Sequence, residues 1–125
     1  MPRSDLDHLP MQIVEYICGN LQKKLSITVI CREFGINKTS LQERFKDCMG
    51  TSLHAWLLQR RMEKARQLLL ETDDPIKHIA MQCGYKRIHS FIKAFRNAHR
   101  TSPGQYRKDS LTIKSDIKAV ESYIV

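Results

Sequence analysis

The feature that most restricts the fold of this chain is an internal repeat. Ile27, Ile30, Cys31 and Phe34 stand at i, i+3, i+4 and i+7 and lead to Gly35; 49 residues later Ile76, Ile79, Ala80 and Cys83 keep the spacing and lead to Gly84. Past the glycine, Leu41, Phe45, Cys48, Ser52 and Trp56 return as Phe91, Phe95, Ala98, Ser102 and Tyr106 at an offset of 50, so the second turn or helix start holds one extra residue. A period of this size marks a duplicated supersecondary unit. Within each copy the apolar residues follow a helical period, and no stretch alternates in the manner of a half-buried strand, so the expected fold class is all-α.

Local signals divide each copy into two helices. Ser26 is placed to cap a short helix that Gly35 ends, and Asn37 to cap the next, with Leu41, Phe45 and Cys48 as its buried stripe and Gly50 at its C-terminus. In the second copy Asp74 and Pro75 form the cap and first-turn pair. Short helix, tight turn, second helix is the helix-turn-helix plan. Ahead of the first copy, Ile13, Val14, Ile17 and Leu21 line one face of a helix predicted over Met11 to Leu21.

Between the copies, Ser52 to Glu71 contains no Gly or Pro and is rich in strong helix formers, which predicts one continuous helix. At about 1.5 Å per residue it spans about 30 Å, close to the roughly 34 Å between successive major-groove faces on one side of B-DNA. Leu53, Trp56 and Leu57 at one end and Ala65, Leu68 and Leu69 at the other suit two different small cores. The expected organisation is two helix-turn-helix subdomains, residues 8–56 and 73–108, a connector helix over 52–71, and a tail over 109–125 that can form a short helix. Trp56, Phe91, Phe95 and Tyr106 each repeat an internal position of the other copy and are read as core, not as base-stacking platforms.

Charge is placed unevenly. The chain carries 21 Lys and Arg against 13 Asp and Glu, yet residues 75–108 hold eight basic side chains and no acidic one, whereas residues 1–74 are nearly balanced at +1 and residues 109–125 sum to −1. Solvated faces usually mix both signs, so the second copy is expected to meet a polyanion, nucleic acid before a membrane surface. No apolar run approaches the roughly 20 residues needed to cross a bilayer. Met1, Pro2, Arg3, Ser4 and Asp5 do not lead into the apolar segment of a secretory signal. Cys18, Cys31, Cys48 and Cys83 form no Cys-x-x-Cys pair, which predicts reduced core cysteines instead of a metal site. A cytoplasmic location with no membrane partner follows as the expectation. Neither an enzyme nor a cofactor is expected, because no nucleophile–base pair, metal-ligand spacing or phosphate-cradling glycine loop is present.

The second copy contains Gly84-Tyr85, then Phe91, then Phe95-Arg96, Ser102-Pro103 and Tyr106-Arg107, and the connector reads Arg61-Met62-Glu63-Lys64-Ala65-Arg66-Gln67-Leu68-Leu69. These motifs resemble the AraC/XylS-type bacterial transcription regulators, and the resemblance covers about residues 8 to 108. Three positions depart from the family pattern. Arg100 stands where glycine is usual, at a cost of about 1 kcal/mol if the backbone is left-handed there. Leu53 replaces a common proline, and Glu43 occupies a position that is usually basic or small and polar. The resemblance implies a sequence-specific double-stranded DNA-binding regulator that inserts two recognition helices into adjacent major-groove segments. It further implies an activator that touches RNA polymerase, and a separate effector-binding or dimerisation domain in full-length relatives.

The contact residues follow from helix rotation. With Leu41, Phe45 and Cys48 inward, a step of about 100° per residue puts Thr39, Gln42, Glu43 and Lys46 on the opposite face. Gln42 can pair with adenine and Glu43 can accept from cytosine N4, while Lys38 and Lys46 suit phosphate or guanine. The same rotation in the second copy exposes His89, Ile92, Lys93 and Arg96. An apolar Ile92 on that face suits either a thymine methyl or a subunit contact. Lys86 and Arg87 sit at the helix start, where phosphate contacts gather, and Arg107 and Lys108 are read as phosphate clamps.

In the tail, Ile113, Ile117, Val120 and Ile124 form a narrow apolar stripe that can dock on the chain itself, pair with another subunit or stay free. A homodimer through this stripe or through a missing domain therefore stays open. So does a rival function, a protein-interaction module or antagonist that pairs with a full-length regulator; equal, weak affinity for all DNA sequences would favour it.

Overall fold

The computed structural model describes residues 8–23 and 25–124, and all seven regular elements among them are α-helices: α1 (Leu9–Cys18), α2 (Ile27–Phe34), α3 (Lys38–Met49), α4 (Leu53–Glu71), α5 (Ile76–Gln82), α6 (Ile88–His99) and α7 (Pro103–Ile124). The chain divides into two units within α4, after Arg61. The N-terminal pentapeptide lies outside the described residues.

In the first unit, α1 starts and stops earlier than its periodicity predicts. Pro10 fits the first turn, where a missing N–H costs nothing, and Gly19 takes the C-terminal cap, so Leu21 lies beyond the helix yet stays buried. Ser26 Oγ accepts from Val29 N at 3.2 Å and Asn37 Oδ1 accepts from Ser40 N at 2.8 Å, which fixes the starts of α2 and α3. Gly35 and Gly50 end these helices at φ +61° and +75°, a left-handed backbone that a side chain would strain. Ile13, Ile17, Ile30, Leu41 and Phe45 are essentially inaccessible and pack with Leu53, Trp56 and Leu57 from the start of α4.

The second unit repeats this plan. Tyr85 N donates to Ala80 O at 2.9 Å as Ile36 N donates to Cys31 O at 3.1 Å, 49 residues apart. Ser102 Oγ caps α7 through Gln105 N as Ser52 Oγ caps α4 through Ala55 N, 50 residues apart. Phe95 meets Tyr106 edge-on at 5.5 Å between ring centres, and Phe45 meets Trp56 in the same way at 5.7 Å. The inserted residue falls in the turn: residues 35–37 separate α2 from α3 and residues 83–87 separate α5 from α6, the further residue of difference arising because α5 ends at Gln82, one position before Cys83, the counterpart of Phe34. Met62, Ala65 and Leu69 of α4 close this core with Ile79, Ala80, Cys83, Phe91 and Phe95.

Four expectations change. The α5 cap is Pro75 in an extended conformation, not Asp74, and no side chain caps the helix. The buried stripes of α3 and α6 end on Met49 and His99: Cys48 and Ala98 are exposed, while Met49 packs on the first core and His99 stacks on Phe95 at 4.4 Å. Of the four cysteines only Cys83 is buried; Cys31 is half-buried, and Cys18 and Cys48 are exposed thiols. Finally, no break separates a tail from the second unit, because α7 runs unbroken for 22 residues. Nothing between Gln105 and Ile124 is a glycine or proline that would stop it. No helix among the described residues is long and apolar enough to cross a membrane.

Candidate nucleic-acid interface

Burying Leu41 and Phe45 on one side of α3 leaves Lys38, Thr39, Gln42, Glu43 and Lys46 exposed. Burying Phe91 and Phe95 leaves His89, Lys93 and Arg96 exposed on α6, with Lys86 and Arg87 exposed just before it. The two faces correspond position by position at the offset of 50: Thr39 with His89, Gln42 with Ile92, Glu43 with Lys93, Lys46 with Arg96. They differ in chemistry, since the first carries an acid where the second carries a base.

Ile92 departs from its expected exposure. It is half-buried and packed against the second core, so part of its apolar surface is accounted for within the unit and only the remainder can meet a ligand. Asn97 and Arg100 line the same surface depression as His89, Ile92, Lys93 and Arg96, and sequence reasoning did not include them. The signal was available: residues 89, 93, 96 and 100 share a helix face at i, i+4, i+7 and i+11. Arg100 holds a left-handed backbone at φ 63°, the conformation of Gly50 at φ 75° in the first copy, so the strain expected there is present.

Arg107, expected to be a phosphate clamp, is half-buried and donates within its own chain. Its Nε donates to Leu69 O at 3.1 Å, Nη1 to Asp74 O at 2.7 Å and Nη2 to Thr72 O at 3.1 Å. Leu69 O belongs to the last turn of α4, where carbonyls lack partners within the helix, and the other two line the loop into α5. The guanidinium is thus spent on the backbone that carries the second unit's first helix. Lys64 Nζ acts likewise on Gln82 O at 3.1 Å, at the end of α5. Lys108, by contrast, is exposed.

Arg66 forms a two-pronged pair with Glu63, the shortest contact 2.5 Å. Hydrogen bonds to Glu63 and then to Tyr106 hold it still more firmly protonated than an ordinary arginine. At the start of α6 no side chain caps the free N–H groups, whereas Asn37 caps those of α3. An uncapped helix start beside exposed Lys86 and Arg87 suits an anion, the net partial charge there being positive. No group of three or more His, Cys, Asp or Glu among the described residues is arranged to hold a metal ion.

A family model described as a helix-turn-helix domain matches residues 30–109. The xylose operon regulatory protein of Escherichia coli K12 is 33% identical over 105 residues, which are 84% of this chain and 27% of that protein. The chain belongs to the AraC/XylS family of DNA-binding domains. Within the AraC/XylS family, the multiple antibiotic resistance protein MarA of E. coli K12 is 29% identical over 112 residues, covering 89% of this chain and 88% of MarA. The C-terminal domain of AraT, a response regulator from Geobacillus stearothermophilus, superimposes with a TM-score of 0.80 at 32% identity, covering 83% of this chain and 87% of that one. The chain therefore spans about a quarter of the xylose regulator's length and most of MarA's.

Proposed function

We propose that this chain is a sequence-specific double-stranded DNA-binding transcription regulator that presents α3 and α6 to the major groove. The observation that carries the reading is the α6 face: Lys86 and Arg87 are exposed at an uncapped helix start and Lys93, Arg96 and Arg100 are exposed further along the same helix and at its end, with no acidic residue between positions 75 and 108. Such a face gathers phosphates and releases counterions, which supplies salt-dependent affinity common to all sequences. Discrimination then comes from Gln42, Glu43 and Lys46 on α3 and from His89, Lys93 and Arg96 on α6, at about 1–3 kcal/mol for each good base contact. The exposed part of Ile92 adds a methyl-sized contact to thymine. Lys38, Thr39 and Lys108 are assigned to the sugar–phosphate backbone, and Arg107 to positioning the second unit.

The connector supports a two-site reading, because one uninterrupted helix of 19 residues supplies side chains to both cores. Activation through RNA polymerase is the role the family resemblance implies, and it is proposed on that ground. Selection of bound oligonucleotides from a random pool, repeated at low and high salt, tests the whole. The expected result is a recovered site with two separate conserved blocks, each mapping to one unit. Equal and weak retention of every sequence at both salts refutes the proposal.

A further inference from the structure

The distal turns of α7 contribute nothing to the second core. Residues 111–123 are exposed throughout, and Ile113, Ile117 and Val120 keep 57%, 52% and 56% of their surface in solvent. In sequence, position 124 extends these to steps of four, three and four, the spacing of the a and d positions in a two-stranded coiled coil. A stripe of this kind invites a cover, and the flanking charges decide which. With 113 and 120 at d and 117 and 124 at a, Lys114 and Glu121 occupy e, and Asp116 and Tyr123 occupy g.

In a parallel pair each g residue faces the following e residue of the other helix, which sets Asp116 against Glu121 twice, like charge on like. In an antiparallel pair e faces e and g faces g. Lys114 then meets Glu121 twice, Asp116 meets the uncharged Tyr123, and the apolar layers match as 117 with 120. We propose that two copies of this chain pair antiparallel through the α7 stripe, with Lys114 of each facing Glu121 of the other. Within one copy Lys114 Nζ reaches Leu70 O at 3.4 Å, a long contact that it can exchange for a carboxylate. The pairing is a closed two-fold contact and involves α7 alone, so it stands or falls independently of the DNA reading.

Few layers bury far less than the roughly 1,600 Å² of a standard interface, so half-association is expected on the order of 0.1 mM. Sedimentation equilibrium of the full chain, without DNA, from about 10 µM to about 1 mM spans that value. Ile117→Ser is expected to abolish association while circular dichroism stays unchanged, because the side chain supports no core. Glu121→Lys separates the two orientations. It weakens the antiparallel dimer about five- to ten-fold by replacing two attractions with two repulsions, and tightens a parallel one. Lys114→Glu combined with Glu121→Lys restores the original affinity. The proposal is overturned by tightening in Glu121→Lys, by unchanged association in Ile117→Ser, or by a monomer at every concentration, whether its tail then proves protected on its own chain or available to a different protein.

Discussion

Arg107 offers the sharpest test of how the second unit is built, because its two readings predict opposite measurements. As a phosphate clamp, Arg107→Ala would reduce the slope of log affinity against log salt by about one and leave stability alone. The structure instead gives it three backbone acceptors, the carbonyls of Leu69, Thr72 and Asp74. Hydrogen bonds from a charged donor contribute about 1.5–3 kcal/mol each when well buried; this half-buried guanidinium is screened by solvent, so about 1 kcal/mol each is the better figure. Arg107→Ala is therefore expected to cost about 2–3 kcal/mol. With an unfolding entropy of about 0.26 kcal/mol/K for a chain of this length, the melting point falls by about 10 °C, and by more if the second unit melts alone. Arg107→Lys recovers only about one bond's worth, since an ammonium cannot span three acceptors held for a planar fork. Thermal and urea denaturation measure this, with the salt dependence of DNA affinity measured below the transition. A stable Arg107→Ala protein with a shallower salt slope would refute the positioning role.

Other substitutions follow from the same geometry. Lys108→Ala should weaken all DNA sequences alike and lower the salt slope by about one, with no change in melting point. Arg96→Ala should relax preference in one block of the selected site, at about 1–3 kcal/mol; identical loss across every sequence contradicts a base contact. Arg100→Gly should raise the urea midpoint, by up to about 1 kcal/mol of relieved left-handed strain, while weakening DNA binding; a midpoint that does not move removes the strain argument. Glu43→Lys should steepen the salt slope by about one and erase preference for a C·G pair in the other block, and an equal gain on all sequences would mean that Glu43 reads no base.

Much of this was legible in the sequence because it depends on neighbours. Ser26 and Asn37 cap helices three residues away, Gly35 and Gly50 answer a local need for positive φ, and the aromatic pairs Phe45–Trp56 and Phe95–Tyr106 recur because the unit recurs. The last turns of α3 and α6 were misread for a definable reason. From Phe45 and Phe95, both i+3 and i+4 fall close to the buried stripe, so helical period alone does not choose between Cys48 and Met49 or between Ala98 and His99. Packing chose the larger residue in each copy, Met49 against the first core and His99 against Phe95 and Tyr106. Arg107 was not legible at all, since its acceptors lie 33 to 38 residues away and a basic residue in a basic segment gives no sign of being used internally.

The internal hydrogen bonds of Arg107 change how the charge of the second unit is to be understood. Eight cations without an acid suggest a uniform polyanion-binding surface, but the Arg107 guanidinium donates to three backbone carbonyls of its own chain, and Arg100 holds a strained position that glycine would fill with less strain. Arg100 takes this strained conformation on the same surface as Lys93 and Arg96, which on the proposed DNA reading is better explained by a ligand contact than by stability. The first unit has the opposite settlement: a glycine at the equivalent cap, and Glu43 at the position that corresponds to Lys93 in the repeat. One frame thus carries an unstrained, nearly neutral helix face and a strained, strongly basic one; on the proposed DNA reading, most of the non-specific affinity is expected from α6, with α3 contributing mainly through which bases it accepts.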